Sequence, residues 1–443
     1  MSMERGSNGW ELNGWEPYGE LPFIQPLGGS GQESIGGGNG EITAPSNDGL
    51  DTPRLESWAY EPTQELTVDR PPQQLEHPGA ITQELIDRLP KARTLEASER
   101  TAQSRENRRH MIEAAREGSA AVVEKTRTAL FREVGYLHNE DGLHVQRVRD
   151  FIKALGLNSD SGLLIVATDE QYDQVVAATQ RLGAPLSGPR DPGLYYPLAG
   201  TAIINRQQNE NNLHATEATI AHELGGHGSV PQVSREDAQK IKGYEIWHDL
   251  PPLPIYGLRD LDIEQNRTVG TFLDEGRAEW IALSYGRAVG DVPEGAEHSR
   301  EGINYAGRIS IYNAAATTLD VLFARDEGLI EPMMTLGSDL DAAEEVVTRM
   351  ERIQPGLYAA LSGIAFTGGV NNEGERDPTR YTADIMAFGK GLQRALEATG
   401  LTDNDIKSIV NHGPGAQFVA DRLRHQAVTG GRPYNWYPRG DRP

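Results

Sequence analysis

Apolar residues recur at helical spacing from about Thr82 to Leu157, set in a strongly charged background. Leu85, Leu89 and Leu95 lead into ASERTAQSRENRRHMIEAAREGSAAVVEKTRTALFREV, which this periodicity predicts as helix. Within it Arg105, Arg108 and Arg109 are interleaved with Glu106, Glu113 and Glu117, which reads as a solvated helix face rather than a basic docking patch. The pattern then changes. Gly162–Thr168 (GLLIVAT) is a short apolar, β-prone run that suits a buried strand. Asp169–Leu182 returns to helical spacing, and DPGLYYPLAGTAIINRQ reads as turn, strand, Gly turn and strand. From Thr216 the chain is helical again. QVSREDAQKIKGYEIWHDLPPLPIYGLRDLDIEQ is expected to be irregular, with Pro251–Pro254 as a loop. A further helix is expected from near Val269, carrying FLDEGRAEWIALSYGRAVG, and the chain to about Gln426 reads as helices broken by Gly and Pro. The class implied is α+β, mostly helical with a small mixed sheet.

The ends lack any such periodicity. Residues 1–75, rich in Gly, Pro, Ser, Asn and Glu, have the composition of a disordered tail. NGWE occurs twice, at Asn8–Glu11 and Asn13–Glu16. The two tryptophans could anchor the tail to a partner, and a chance duplication in low-complexity sequence is the plainer account. The stretch 428–443 is Gly-, Pro- and Arg-rich, and its Arg439-Gly440-Asp441 is taken as coincidence. The expected plan is a tail over 1–75, a helical lead-in over 76–157, a catalytic region over 158–427 and a flexible end over 428–443.

Composition narrows the chemistry. The chain has 443 residues and no cysteine, so a metal could be held only by His, Asp or Glu. Its formal charge, 42 minus 65, is −23, which disfavours nucleic acid and anionic membranes as partners. The longest apolar stretch, near Gly162–Ala167, is too short to span a bilayer, and the first residues do not resemble a secretory signal; a cytoplasmic location is expected.

One constellation stands out. Residues 221–230 read AHELGGHGSV, a His-Glu-x-x-x-His pattern made by His222, Glu223 and His227. The familiar zinc motif is one residue shorter and puts both histidines on one helical face. A spacing of five puts them about 140° apart on an ideal helix. They can share a metal only if the helix absorbs an extra residue, most simply as a π-bulge. Gly225 and Gly226 lie where that distortion would fall and impose no Cβ penalty. Together they cost a helix roughly 1–2 kcal/mol relative to alanine, which makes sense if the distortion is used. A catalytic zinc takes three protein ligands and leaves one position for water. In Asp274-Glu275-Gly276-Arg277-Ala278-Glu279, Glu275 and Glu279 share a helical face. Glu275 is assigned as third ligand, with Asp274 as the other candidate, and Glu279 as the carboxylate that orients a ligand histidine. Glu223 is assigned as general base. Tyr285, Tyr381, Arg380 and His248 are unranked candidates for stabilising the oxyanion. Thr201–Asn205 could be the edge strand that pairs with an extended substrate. The same letters would also arise from an ordinary helix whose histidines make routine hydrogen bonds.

HELGGHGS and DEGRAE resemble the HELLGH, Gly-Ser and EECRAE elements of the dipeptidyl-peptidase III enzymes. HELGGH and DEGRA are also similar to the HEIGTH and QEGLA elements of tyrosine-carboxypeptidase-like proteins, whose later FTKD-type helix finds a weak counterpart in Tyr381-Thr382-Ala383-Asp384. The resemblance covers about a dozen residues closely. It implies a gluzincin-type, zincin-like fold, one Zn2+ per chain on His222, His227 and Glu275, Glu223 as base, and exopeptidase activity on a peptide or protein substrate. The chain departs from both families: 53 residues separate His222 from Glu275, and no histidine lies between His298 and His412 to match a downstream catalytic one. The alternative from another class is a non-catalytic binding or scaffold protein that retains the metal site.

Overall fold

The computed structural model describes residues 79–91, 96–182, 191–231, 233–251, 253–255, 257–262, 267–289, 309–336, 340–364, 391–393, 396 and 401–402, together with two short strands near the N-terminus. The chain divides into Met1–Val68 and Asp69–Pro443. In the first unit β1 (Arg5–Gly6) pairs antiparallel with β2 (Gly9–Trp10), so the first NGWE copy contributes a strand where the composition predicts none. The remainder of the expected N-terminal tail, and the expected flexible C-terminal end, lie outside the described residues.

The second unit is mostly helical, with a small mixed sheet. After α1 (Gln83–Arg88) comes α2 (Ala97–Val134), 38 residues long, which at 1.5 Å per residue spans about 57 Å. Helix α3 (Val145–Ala154) leads to β3 (Gly162–Val166), α4 (Asp169–Arg181), β4 (Gly193–Tyr196) and β5 (Thr201–Asn205). In the sheet order β3-β5-β4, β3 is parallel and β4 antiparallel to β5. Side chains alternate across a strand, and here both faces are covered. Leu163, Ile165, Ala202 and Ile204 enter the main core with Val148 and Ile152 of α3 and with Ile220, Leu224 and Ile281 from later in the chain. Leu164, Val166 and Ile203 enter a second core with Leu130 and Val134 of α2 and Tyr172 and Val175 of α4. Burial on both faces explains why β3 and the middle of β5, Ala202–Ile204, are apolar at successive positions rather than alternating.

Beyond the sheet lie α5 (Leu213–Ala221), α6 (Arg235–Trp247), the antiparallel pair β6 (Asp260–Asp262) and β7 (Arg267–Val269), α7 (Thr271–Val289), α8 (Ile309–Arg325), α9 (Ile330–Thr335), α10 (Leu340–Ile353) and α11 (Leu357–Ser362). Among the described residues no helix is long and apolar enough to cross a membrane.

Three expectations are corrected. The segment read as irregular contains α6 and β6. Helix α6 is started by Ser234, whose Oγ accepts from Asp237 N at 3.1 Å. Ala238, Ile241 and Tyr244 form its buried stripe against Met111, Ile112 and Ala115 of α2. Because α6 packs there, Arg108 is not solvated: it is 3% exposed, donates to Pro251 O at 2.8 Å and faces Glu245 at 3.5 Å. Its neighbours do stay outside, Arg105 pairing with Glu344 and Arg109 with Asp341. Finally, β5 is the central strand, so Thr201–Asn205 has no open edge to offer a substrate. The edge strand on that side is β4.

Candidate metal centre

Helix α5 is capped by Asn212, which accepts from His214 N and Ala215 N. It runs directly into six residues of π-helix, His222–His227, as the five-residue spacing predicts. The wider turn brings the two rings together, with centroids 5.2 Å apart. The glycines act by closeness rather than by unusual backbone angles, since neither has a positive φ. A Cβ on Gly226 would lie 2.2 Å from Ala278 Cβ, and one on Gly225 would lie 2.9 Å from Ile281 Cγ2. Helix α7 can therefore press its Glu-bearing face onto the motif. Gly276 plays the same part on the opposite side, where a Cβ would meet Ala315 of α8 at 3.0 Å.

Several carbonyls of the distorted turn have partners from outside it. Gly228 N donates to Glu223 O at 2.8 Å, and Ser229 Oγ to Gly225 O at 2.7 Å. Arg277, wholly buried, donates to Gly226 O (2.7 Å), Ser229 Oγ (2.9 Å) and Met333 O (2.7 Å). Burial pulls its pKa down to about 10. A guanidinium suits this position because its fixed fork reaches three acceptors at once. No sequence signal marks Arg277 for this role, although it sits inside the DEGRAE run.

Three donor atoms converge. Glu275 Oε2 lies 3.3 Å from His222 Nε2 and 3.3 Å from His227 Nε2, and the three groups form a cluster able to hold a metal ion. The two measured separations from Glu275 suit zinc, since a tetrahedron with bonds of about 2.0–2.1 Å has edges of about 3.3–3.4 Å, and all three donor atoms lie within 4.8 Å of one another. The far nitrogen of each ring is held as well. Glu279 Oε2 is 3.1 Å from His222 Nδ1, and Asp274 Oδ2 is 3.0 Å from His227 Nδ1. Glu279 is thus placed against the far nitrogen of His222. Asp274, considered only as an alternative ligand, orients the other histidine. Arg259 pairs with two of the three acids of α7, with Nε 2.6 Å from Asp274 Oδ2 and Nη2 2.9 Å from Glu275 Oε1.

Four carboxyl groups (Glu223, Asp274, Glu275 and Glu279) surround two imidazoles and one guanidinium in a largely buried pocket. Burial alone would lower the histidine pKa values, but the acids outweigh it. Glu275, Glu279 and Glu223 hold His222 well above its ordinary value, and Glu275 and Asp274 raise His227 to about 9. Burial would raise the Glu275 carboxyl; His227, His222 and Arg259 hold it well below the usual range. The pocket calls for positive charge, whether as protons on the rings or as a divalent cation between them. Its N2O donor set fits zinc.

Glu223, 6% exposed, sits beside the edge strand: a Cβ on Gly193 of β4 would lie 3.2 Å from Glu223 Oε1. Tyr312 of α8, which no sequence motif marked, packs its ring edge-on against His222 with centroids 5.7 Å apart. The other candidates are placed differently. The Tyr285 hydroxyl donates to Glu217 and accepts from Arg147 Nε at 3.0 Å. His248 stacks on Tyr244 and lies 3.4 Å from Ser104 Oγ, in the contact between α2 and α6. Arg380 and Tyr381 lie outside the described residues.

No known protein family, curated protein or solved structure matches the chain.

Proposed function

We propose that this protein is a zinc-dependent peptidase of the gluzincin type that hydrolyses peptide bonds with Glu223 as general base. The observation that carries the reading is the convergence of His222 Nε2, His227 Nε2 and Glu275 Oε2 within 4.8 Å of one another, with each histidine held from behind by its own carboxylate. When bound, zinc supplies Lewis acidity and lowers the pKa of water towards neutrality. The chain's residues supply the rest. Glu223 accepts a proton from the attacking water and delivers it to the departing amine nitrogen. The position of β4 at the edge of the described sheet, beside Glu223, supports an extended peptide laid antiparallel along it, fixed by main-chain hydrogen bonds. Tyr312 is the phenol nearest His222 among those described in ring contact, and it replaces Tyr285 as the candidate donor to the developing oxyanion. Both resembling families favour exopeptidase action with one Zn2+ per chain.

The test is metal content and peptide hydrolysis together. Wild type should hold about one zinc per chain, and Glu223→Gln should keep it while losing about 10²–10⁴-fold in kcat. His227→Ala and Glu275→Ala should lose the metal. Zinc binding without hydrolysis of a diverse peptide library would favour the binding or scaffold reading. Absence of zinc from wild type and ligand variants alike would sink both.

A further inference from the structure

A second feature lies apart from the His–Glu cluster. It is a cavity of about 400 Å³ between the middle of α2 and the residues that follow the motif. On the α2 side its wall is Arg116, Ser119, Val123 and Arg127, spaced three and four apart so that they share one face. Gly228 to Pro231, directly after His227, form another wall, and Leu157 and Met334 add apolar surface.

Three observations give the cavity its character. Among the described residues no acidic side chain lines it, in a chain of net charge −23. Arg116 Nε and Ser119 Oγ are both buried without a hydrogen-bond partner. A buried donor left unpaired costs about 1–3 kcal/mol, so two side by side in one wall need an explanation. Arg127 is fixed in place, donating from Nε to Ala199 O at 3.1 Å and pairing from Nη1 with Glu124 at 3.2 Å. Burial also holds the Arg116 guanidinium below its usual range, with Glu113 only partly offsetting this. An anion would relieve that cost.

The geometry points to a binding site for a small anion: a carboxylate or phosphate group held by Arg116, Ser119 and Arg127, on a ligand whose apolar part rests on Val123, Leu157 and Met334. Guanidinium groups recognise both anions by charge-assisted hydrogen bonds. The site does not depend on the peptidase reading. Because Gly228 and Ser229 are wall residues, an occupant would touch the chain one residue beyond His227.

Isothermal titration of the full-length protein tests this with three probes: N-acetyl-leucine, its uncharged amide and inorganic phosphate. Saturable binding of at least one anion, and none of the amide, is expected. Arg116→Met should weaken that binding about tenfold or more, and Ser119→Ala should weaken it less, with zinc content unchanged in both. Arg116 makes no protein hydrogen bond through Nε and Ser119→Ala removes only a hydroxyl, so at least one variant should fold; circular dichroism checks this. Binding of N-acetyl-leucine alone would identify a carboxylate ligand, and of phosphate alone a phosphorylated one. Failure of both anions to saturate the protein at about 10 mM, where even a millimolar site would fill, would overturn the assignment. So would affinity unchanged in both variants, which would place the anion elsewhere.

Discussion

Asp274 holds His227 from behind, its Oδ2 lying 3.0 Å from Nδ1. Its sequence neighbour Glu275 faces the same ring's Nε2 at 3.3 Å. Consecutive residues of α7 thus reach opposite nitrogens of one imidazole. The two contacts do different work: Glu275 shares the donor triangle, whereas Asp274 fixes the tautomer that leaves Nε2 available as a donor. Glu279 does the same for His222.

Asp274→Asn and Glu279→Gln are therefore expected to retain the fold and lose metal affinity by about 10–100-fold each. Competition against a zinc chelator measures this directly. Wild-type affinity in both variants would show that the carboxylates are merely buried ion pairs.

Gly226→Ala should be far more costly than its size suggests. The new methyl would meet Ala278 Cβ at 2.2 Å and Cα at 2.6 Å, so α7 must move away from the motif. A loss of about 1–3 kcal/mol is expected, together with weaker metal binding because Glu275 moves with α7. Gly243→Ala in α6 is the control. It has open space around the added Cβ, and should be neutral or stabilising by up to about 1 kcal/mol. Equal thermal shifts for the two would argue against close approach as the reason for the motif's glycines.

The Glu217 cluster should make stability depend on acid. Glu217, 1% exposed, accepts from the Tyr285 hydroxyl, from Arg147 Nη2 at 2.6 Å, and from His144 N and Nδ1 at 2.8 and 3.0 Å. Burial would raise its pKa, but these bonds pull it from 4.5 to about 2. A folded-state pKa below the unfolded one stabilises at pH above the unfolded value, and that stabilisation fades as pH falls through the folded value. Glu217→Gln is thus expected to cost about 1.5–3 kcal/mol at neutral pH. Its difference from wild type should shrink between pH 4.5 and about 2. Denaturant unfolding at several pH values reads this out, and a pH-independent difference would mean the carboxylate's charge is not what matters.

Local spacing along the chain determined much of this protein. The five-residue interval between His222 and His227 demands a widened turn, because a regular helix would separate the rings. The four-residue interval between Glu275 and Glu279 places both on one face of α7. The unbroken apolar run at Gly162–Val166 marks a buried strand. These relations lie within one element and follow from 3.6- and 2-residue periodicity. Tertiary structure alone decided the remainder. Whether β4 or β5 forms the sheet edge depends on strand order, which no strand carries in its own residues. That Asp274 reaches His227, that Arg277 crosses to Gly226 O, and that Arg108 is buried beneath α6 all depend on how closely two helices approach. The arginine-lined cavity joins residues more than two hundred positions apart, from Arg116 to Met334. Periodicity tells which side of an element is buried; only packing settles what that side meets.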